Sequence, residues 1–187
     1  RINDAGDQAL LVVADGMGGH QGGEVASRLA VDAIIESLEP EIADASSGTT
    51  DADIRGKLDR AFRLANERIV SRRSGDPRLE KMGTTLVVAW LSGNQAHIAH
   101  IGDSRCYSLR GSQALCLTRD DTVVQNMLED GSITRADVPN VPFRNVLTRA
   151  VGTVEQAAPS YRRETLDEGD VLLLCSDGLT DSVPEYR

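Results

Sequence analysis

Aromatic side chains are nearly missing from this chain of 187 residues, at 3% of the total: one Trp, three Tyr and two Phe. A hydrophobic interior must therefore be aliphatic, drawn from Val, Leu, Ile and Ala within an ordinary apolar share of 40%. Cysteine is nearly as scarce. Cys106, Cys116 and Cys175 are odd in number and no two stand two residues apart. That excludes a disulfide framework and a zinc ribbon, and it fits a reducing, cytoplasmic compartment. No apolar run approaches the ~20 residues needed to cross a bilayer. No signal-peptide pattern opens the chain either, so no membrane association is expected. Basic residues are outnumbered, with 20 Lys and Arg against 29 Asp and Glu, for a formal charge of −9. Such a surface repels a phosphate backbone, which argues against nucleic acid as a partner. The length suits one domain with a sizeable core, and a monomer is expected.

What the chain does have is aspartate beside glycine at the ends of apolar runs. Leu-Leu-Val-Val-Ala (10–14) runs into Asp15-Gly16, His-Ile-Ala-His-Ile (97–101) into Gly102-Asp103, and Val-Leu-Leu-Leu-Cys-Ser (171–176) into Asp177-Gly178. A short apolar run bounded by turn residues reads as a buried strand. Three strands are thus expected to deliver a carboxylate each to their ends. Asp181 follows Asp177 at the spacing that shares one helix face. Carboxylates gathered in this way repel one another unless a cation lies between them, and hard divalent ions are the usual partner.

Around these runs the chain reads as helices and hairpins. A strand over 8–14 leads through a glycine-rich elbow into a helix over 24–38 that Pro40 closes. A polar loop spans 43–50. A second helix covers 53–71, with Ile54, Leu58, Ala61, Phe62, Ala65 and Ile69 along one face. Beyond the Gly75-Asp76-Pro77 break, 84–91, 95–101 and 105–109 read as strands, with a hairpin turn at Ser92-Gly93-Asn94. A short helix over 123–128, a loop over 131–145, and strands over 161–165 and 171–175 follow. Hairpins in place of regular strand–helix alternation predict an α+β fold, with antiparallel sheets and helices on their faces.

Each acidic site has a plainer alternative. Asp15-Gly16-Met17-Gly18-Gly19-His20 is readable as a glycine turn from strand to helix, but with Gly22 and Gly23 added the density indicates close backbone approach. The Asp15 carboxylate and Gly16 carbonyl offer the mixed oxygens that Mg²⁺ or Mn²⁺ accepts. A dinucleotide-binding elbow fits poorly, because G-x-G-x-x-G counted from Gly16 ends on Gln21, and no Gly-Lys-Ser/Thr marks a P-loop. Gly102-Asp103-Ser104-Arg105 also reads as a tight turn in which Asp103 pairs with Arg105. Ser176–Asp181 also reads as a turn with Asp177 capping a short helix. His97 and His100, three apart on one strand, face opposite sides and share no metal. His20, in the elbow, is the histidine placed near the chemistry.

Taken together, Val-Val-Ala-Asp15-Gly-Met-Gly-Gly-His-Gln-Gly-Gly, Met82-Gly-Thr-Thr, His100-Ile-Gly-Asp103-Ser-Arg, Leu147-Thr-Arg-Ala-Val-Gly152 and Cys-Ser-Asp177-Gly-Leu-Thr-Asp181 resemble the metal-dependent (type 2C, or PPM) serine/threonine protein phosphatases, in their bacterial form. The resemblance implies a four-layer α-β-β-α sandwich of two antiparallel sheets flanked by helices. It implies a single domain over 1–187 that lacks the family's N-terminal start and C-terminal end. It also implies two Mg²⁺ or Mn²⁺ ions in the core, with a third, weaker position. Asp15 would bridge both core ions, Gly16 would lend its carbonyl to one, and Asp177 would bind the other. Asp103, helped by Asp177 or Asp181, would match the third position. The family opens on Arg-x-x-Asn-Glu/Gln-Asp; Asn3 matches its asparagine and Asp4 stands for the acid, which leaves Arg1 out of register with the motif's arginine and a candidate phosphate contact only by residue type. His20 is the candidate proton donor. Gly83-Thr84-Thr85 and Thr148-Arg149-Ala150 match as scaffold, and the segment over 123–145 corresponds to a flap beside the active site. Asp120-Asp121-Thr122 stands where the family often has Asp-His-Ser/Thr. The implied activity is hydrolysis of phosphoserine and phosphothreonine on proteins by water activated between the ions, opposing a partner Ser/Thr kinase. The alternative is a non-catalytic relative that binds a partner or signal.

Overall fold

The structure, a computed structural model, describes residues 1–3, 6–43 and 50–183, with His20 as backbone only. In chain order the strands are β1 (Gln8–Val13), β2 (Gly16–Met17), β3 (Gly83–Thr84), β4 (Leu86–Ser92), β5 (Gln95–Ile101), β6 (Arg105–Arg110), β7 (Gln113–Cys116), β8 (Ser160–Thr165) and β9 (Val171–Cys175). The helices are α1 (His20–Ala43), α2 (Asp51–Ser74), α3 (Val123–Glu129) and α4 (Asp177–Thr180). One antiparallel sheet has the order β1-β4-β5-β8, a second β7-β6-β9, and β2-β3 form a short ribbon.

Alternation along β4 gives the sandwich two cores. Leu86, Val88 and Trp90 face α1 and α2, where Ile34, Leu38 and Phe62 meet them. Val87 and Ala89 face the second sheet, where Cys106, Leu172 and Leu174 pack. A strand buried on both faces has no polar positions to spare, which is why 86–91 reads as one continuous apolar run. The α+β class and the paired antiparallel sheets are as expected. α1 and α2 form the helical layer over the four-stranded sheet, while the three-stranded sheet carries no long helix among the described residues. No helix of the described residues is long and apolar enough to cross a membrane.

Several boundaries differ from the sequence reading, each for a local reason. α1 begins at His20 and continues through Pro40 to Ala43. Proline removes one helical hydrogen bond, but Ile42, at 2% exposure, belongs to the core and its burial offsets the loss. α2 begins earlier because Thr50 caps it: its hydroxyl accepts the Asp53 N–H, and the Asp53 carboxylate accepts the Thr50 N–H. Of the polar loop, residues 44–49 lie outside the described residues. The run over 84–91 divides at Thr85, whose neighbours pair with different strands. β8 and β9 belong to different sheets, as do β5 and β6, so the short turns between them are crossings. Asp103 sits on the β5–β6 crossing, at the same end of the sandwich as the Asp15 elbow.

Candidate metal centre

Asp15 lies in the gap between β1 and β2, and its backbone is fixed on both sides. Its N–H donates to Thr85 Oγ1 at 3.0 Å. Its carbonyl accepts from Thr84 Oγ1 at 2.8 Å and from the Thr85 N–H at 2.9 Å. The Thr85 hydroxyl lies 2.7 Å from Ser104 Oγ, one residue past Asp103. The two threonines therefore tie the Asp15 elbow to the Asp103 turn without occupying either carboxylate. Gly102 makes that turn at φ 101°, a left-handed conformation that side chains disfavour.

Two acids that the sequence reading left without roles hold this turn in place. Asp121, 4% exposed, accepts the Gly102 N–H at 3.0 Å and an Arg149 N–H at 3.4 Å. Arg149 also donates to the Ala158 carbonyl, so its segment ties the acid turn to the loop before β8. Arg105 is not paired with Asp103 as the plain turn reading has it. It donates to Asp120 in a bidentate pair at 2.8 and 2.6 Å.

The third acid arrives with β9. Ser176 is the N-cap of α4, Asp177 is its first residue, and the Asp181 N–H bonds the Asp177 carbonyl at 2.7 Å. Asp15 and Asp177 lie within hydrogen-bonding reach of one another. Burial, then the negative charges of Asp15 and Asp181, push the Asp177 carboxyl up from the usual range. Asp103 is pushed up to about 6, by burial first, then by the charges of Asp177 and Asp120, with Asp15 adding a little. Among the described residues, no three His, Cys, Asp or Glu side chains are close enough to ligate one ion. Direct contact is limited to the Asp15–Asp177 pair, with Asp103 and Asp181 in electrostatic range. Like charges hold one another off at such distances. The donor set is hard oxygen throughout, and it suits Mg²⁺ or Mn²⁺ better than a softer ion.

A pH prediction follows from Asp103. An acid raised from 3.8 to about 6 binds its proton more tightly in the folded chain than in the unfolded one. With metal withheld, its contribution to stability is full below pH ~4 and is lost as pH rises through about 6. Asp76 and Glu129, held down to about 2 by Arg78 and Arg119, act in the opposite sense but below that window. His97 and His100, whose imidazoles burial pushes below the usual range, act in the opposite sense within it, so the test is the difference: between pH 4 and 6 the thermal stability of the metal-free protein should fall more, or rise less, than that of Asp103→Asn. A slope unchanged in the variant would remove Asp103 as its source.

A cavity of about 420 Å³ opens over the acids. Asp103, Asp177 and Asp181 line it together with Val124, Leu128 and Arg144 of the 123–145 segment, which sits where the flap is expected. His97 and His100 do face opposite sides: His97 meets Tyr161 on the helix side, and His100 bonds the Arg119 carbonyl.

Arg1 is placed apart from the other candidates. Its Nε sits 3.1 Å from Glu39 Oε1 on α1, and its amino group bonds the Leu10 carbonyl at 2.9 Å. Leu10 precedes Asp15 by roughly 17 Å of extended chain, so the structure places Arg1 beside the middle of β1 and against α1, away from the acids. Asp4 lies outside the described residues, as does the His20 side chain.

The family pattern described as Protein phosphatase 2C matches residues 1–187. The chain is 40% identical over 176 residues, 94% of its length, to the serine/threonine protein phosphatase PstP of Mycobacterium tuberculosis, of which it spans only 32%. It is 37% identical over 179 residues to the serine/threonine phosphatase stp of Listeria monocytogenes, covering 69% of that protein. It superposes with a TM-score of 0.80 on a crystal structure of the catalytic domain of PstP in complex with two manganese ions. Identity there is 37%, over 96% of this chain and 74% of that one.

Proposed function

The chain belongs to the protein phosphatase 2C family, and from that premise we propose that it hydrolyses phosphoserine and phosphothreonine esters on proteins. The observation that carries the reading is the convergence of Asp15, Asp103 and Asp177 from separate strand ends: Asp103 and Asp177 line one cavity, Asp15 acts on Asp177 from beside it, and the carboxyls of Asp103 and Asp177 are raised. We assign Asp15, Gly16, Asp177, Asp103 and Asp181 to the metals, within a single domain over 1–187. The manganese in the similar PstP structure supports Mg²⁺ or Mn²⁺. Two such ions, when bound, would offset the charge of the phosphate and make water a stronger acid.

The chain's own residues do the rest. Thr84, Thr85 and Ser104 hold the elbow and the crossing turn, so the acids that would hold the ions are positioned by their backbones with little rearrangement left to make. The cavity of about 420 Å³ over the acids is where the phosphorylated side chain would enter, with residues of the 123–145 segment in its wall. His20, whose backbone starts α1 directly behind the elbow, is assigned as proton donor to the leaving serine or threonine oxygen. We place the protein in the bacterial cytoplasm as a monomer, opposite a Ser/Thr kinase, because the similar proteins are bacterial serine/threonine phosphatases.

Release of phosphate from a phosphothreonine peptide by the full-length protein, with saturating Mn²⁺ and after metal stripping, tests the reading. Turnover only with metal supports it. No release under saturating Mn²⁺ would select the non-catalytic alternative, a module that binds a partner or signal.

A further inference from the structure

A second cavity, of about 180 Å³, adjoins the one over the acids. The two share Arg105, Asp120, Gln125 and Arg135 in their walls, and the smaller adds Arg119 and Thr118. Its three arginines are not equivalent. Arg105 is held by Asp120 through two hydrogen bonds. Arg119 is held by Glu129 at 2.7 and 2.6 Å. Arg135, exposed on the flap, has no hydrogen bond or ion pair among the described residues. The acid in the small cavity's wall, Asp120, already faces Arg105. Among the described residues the charge left uncompensated there is that of Arg135 and is positive, on a chain whose formal charge is −9. A short acidic side chain would find a planar guanidinium able to bind it through two parallel hydrogen bonds, in a wall whose Gln125 amide and Thr118 hydroxyl are already engaged with Glu129 and the Cys106 N–H. A substrate with its phosphorylated residue over the acids would bring a neighbouring residue to this cavity.

We propose that Arg135 is a specificity-determining residue, receiving in the smaller cavity the carboxylate of an Asp or Glu that flanks the phosphorylated residue of the substrate. The proposal rests on the phosphatase reading above. It concerns substrate choice, not the hydrolytic step.

The test compares two phosphothreonine peptides, identical except that flanking Asp residues in one are Asn in the other. The Mn²⁺-loaded full-length protein should prefer the acidic peptide by about tenfold in kcat/KM, mostly through KM, as expected for one charge-assisted contact. Arg135→Gln should bring that ratio to about one, Arg135→Glu should reverse it, and Arg135→Lys should keep part of it. An unchanged melting temperature would show that the variants are folded, as expected for an exposed side chain without partners. No preference in the wild-type protein, or the same preference in Arg135→Gln, overturns the proposal. So does an Arg135→Gln variant that only loses inhibition by added inorganic phosphate, since the cavity would then take the free anion. Failure of the wild-type protein to release phosphate from either peptide is a different result, and it refutes the phosphatase reading itself.

Discussion

Asp15→Asn is expected to slow phosphate release from a phosphopeptide by a factor on the order of 10³, while raising the melting temperature of the metal-free protein. The rate loss is of the size that follows removal of one key electrostatic group from an active site. The stability gain is the more diagnostic half. In the metal-free chain Asp15 contacts Asp177, whose carboxyl is pushed up partly by that contact. Two unit charges 4 Å apart repel by about 4 kcal/mol at an effective dielectric of 20. Proton uptake by Asp177 relieves part of this, leaving a gain on the order of 1 kcal/mol when Asp15 becomes neutral. The fold should tolerate the change, because Thr84 and Thr85 grip the Asp15 backbone and not its side chain. Added Mn²⁺ should raise the wild-type melting temperature, by about 2.7 kcal/mol of stabilisation at a hundred times Kd, and should do much less for the variant. A variant that keeps more than a tenth of the wild-type rate would remove Asp15 from the metal centre. An inactive variant that is less stable without metal would make Asp15 a structural residue instead.

Much of this site is legible in the sequence because its signals are local. An apolar run ending on Asp-Gly states both a strand and where the strand stops, and Asp15, Asp103 and Asp177 fall where those endings place them. The stripe on α2 is equally plain, since Ile54, Leu58, Ala61, Phe62, Ala65 and Ile69 are all buried. What escapes is partnership across long separations. Nothing near Arg105 indicates that Asp120 would take it in place of Asp103, or that Asp121 would hold the Gly102 N–H. The doublet Asp120-Asp121 signals something unusual, but its partners appear only once β5 and β6 cross between sheets. β7 escapes for another reason: it is an exposed edge strand reading Gln-Ala-Leu-Cys, with neither β-branched residues nor alternation to mark it. Arg1, out of register with the family's arginine in the sequence, sits beside Leu10 and Glu39 in the structure. Pro40 shows tertiary burial overriding a local stop signal, because Ile42 has a place in the core.

Gly16→Ala is expected to be strongly destabilising, and it tests the elbow without touching a charge. A Cβ on Gly16 would lie 1.9 Å from the Gly23 carbonyl oxygen and 2.3 Å from its carbon. Neither glycine has a positive φ, so the demand is for space and not for an unusual backbone angle. Adding atoms to a packed core ordinarily costs 1–3 kcal/mol when side chains can shift, per measured series. Here backbone meets backbone, so relief requires parting β2 from the first turns of α1, and with it the Gly16–Thr84 pairing that seats the Asp15 elbow. The cost should exceed about 3 kcal/mol, a large share of the 5–15 kcal/mol typical of a domain. Gly56→Ala provides the contrasting case within α2. A Cβ there meets only Arg60 Nη1 at 3.6 Å, and the substitution should stabilise the chain by about 0.4–1 kcal/mol through reduced unfolded-state entropy. The same added methyl group should thus act with opposite sign at the two positions in urea unfolding. If Gly16→Ala unfolds within about 1 kcal/mol of the wild-type chain, the close approach of β2 to α1 is not what positions Asp15, and the elbow must be held by the threonine contacts alone.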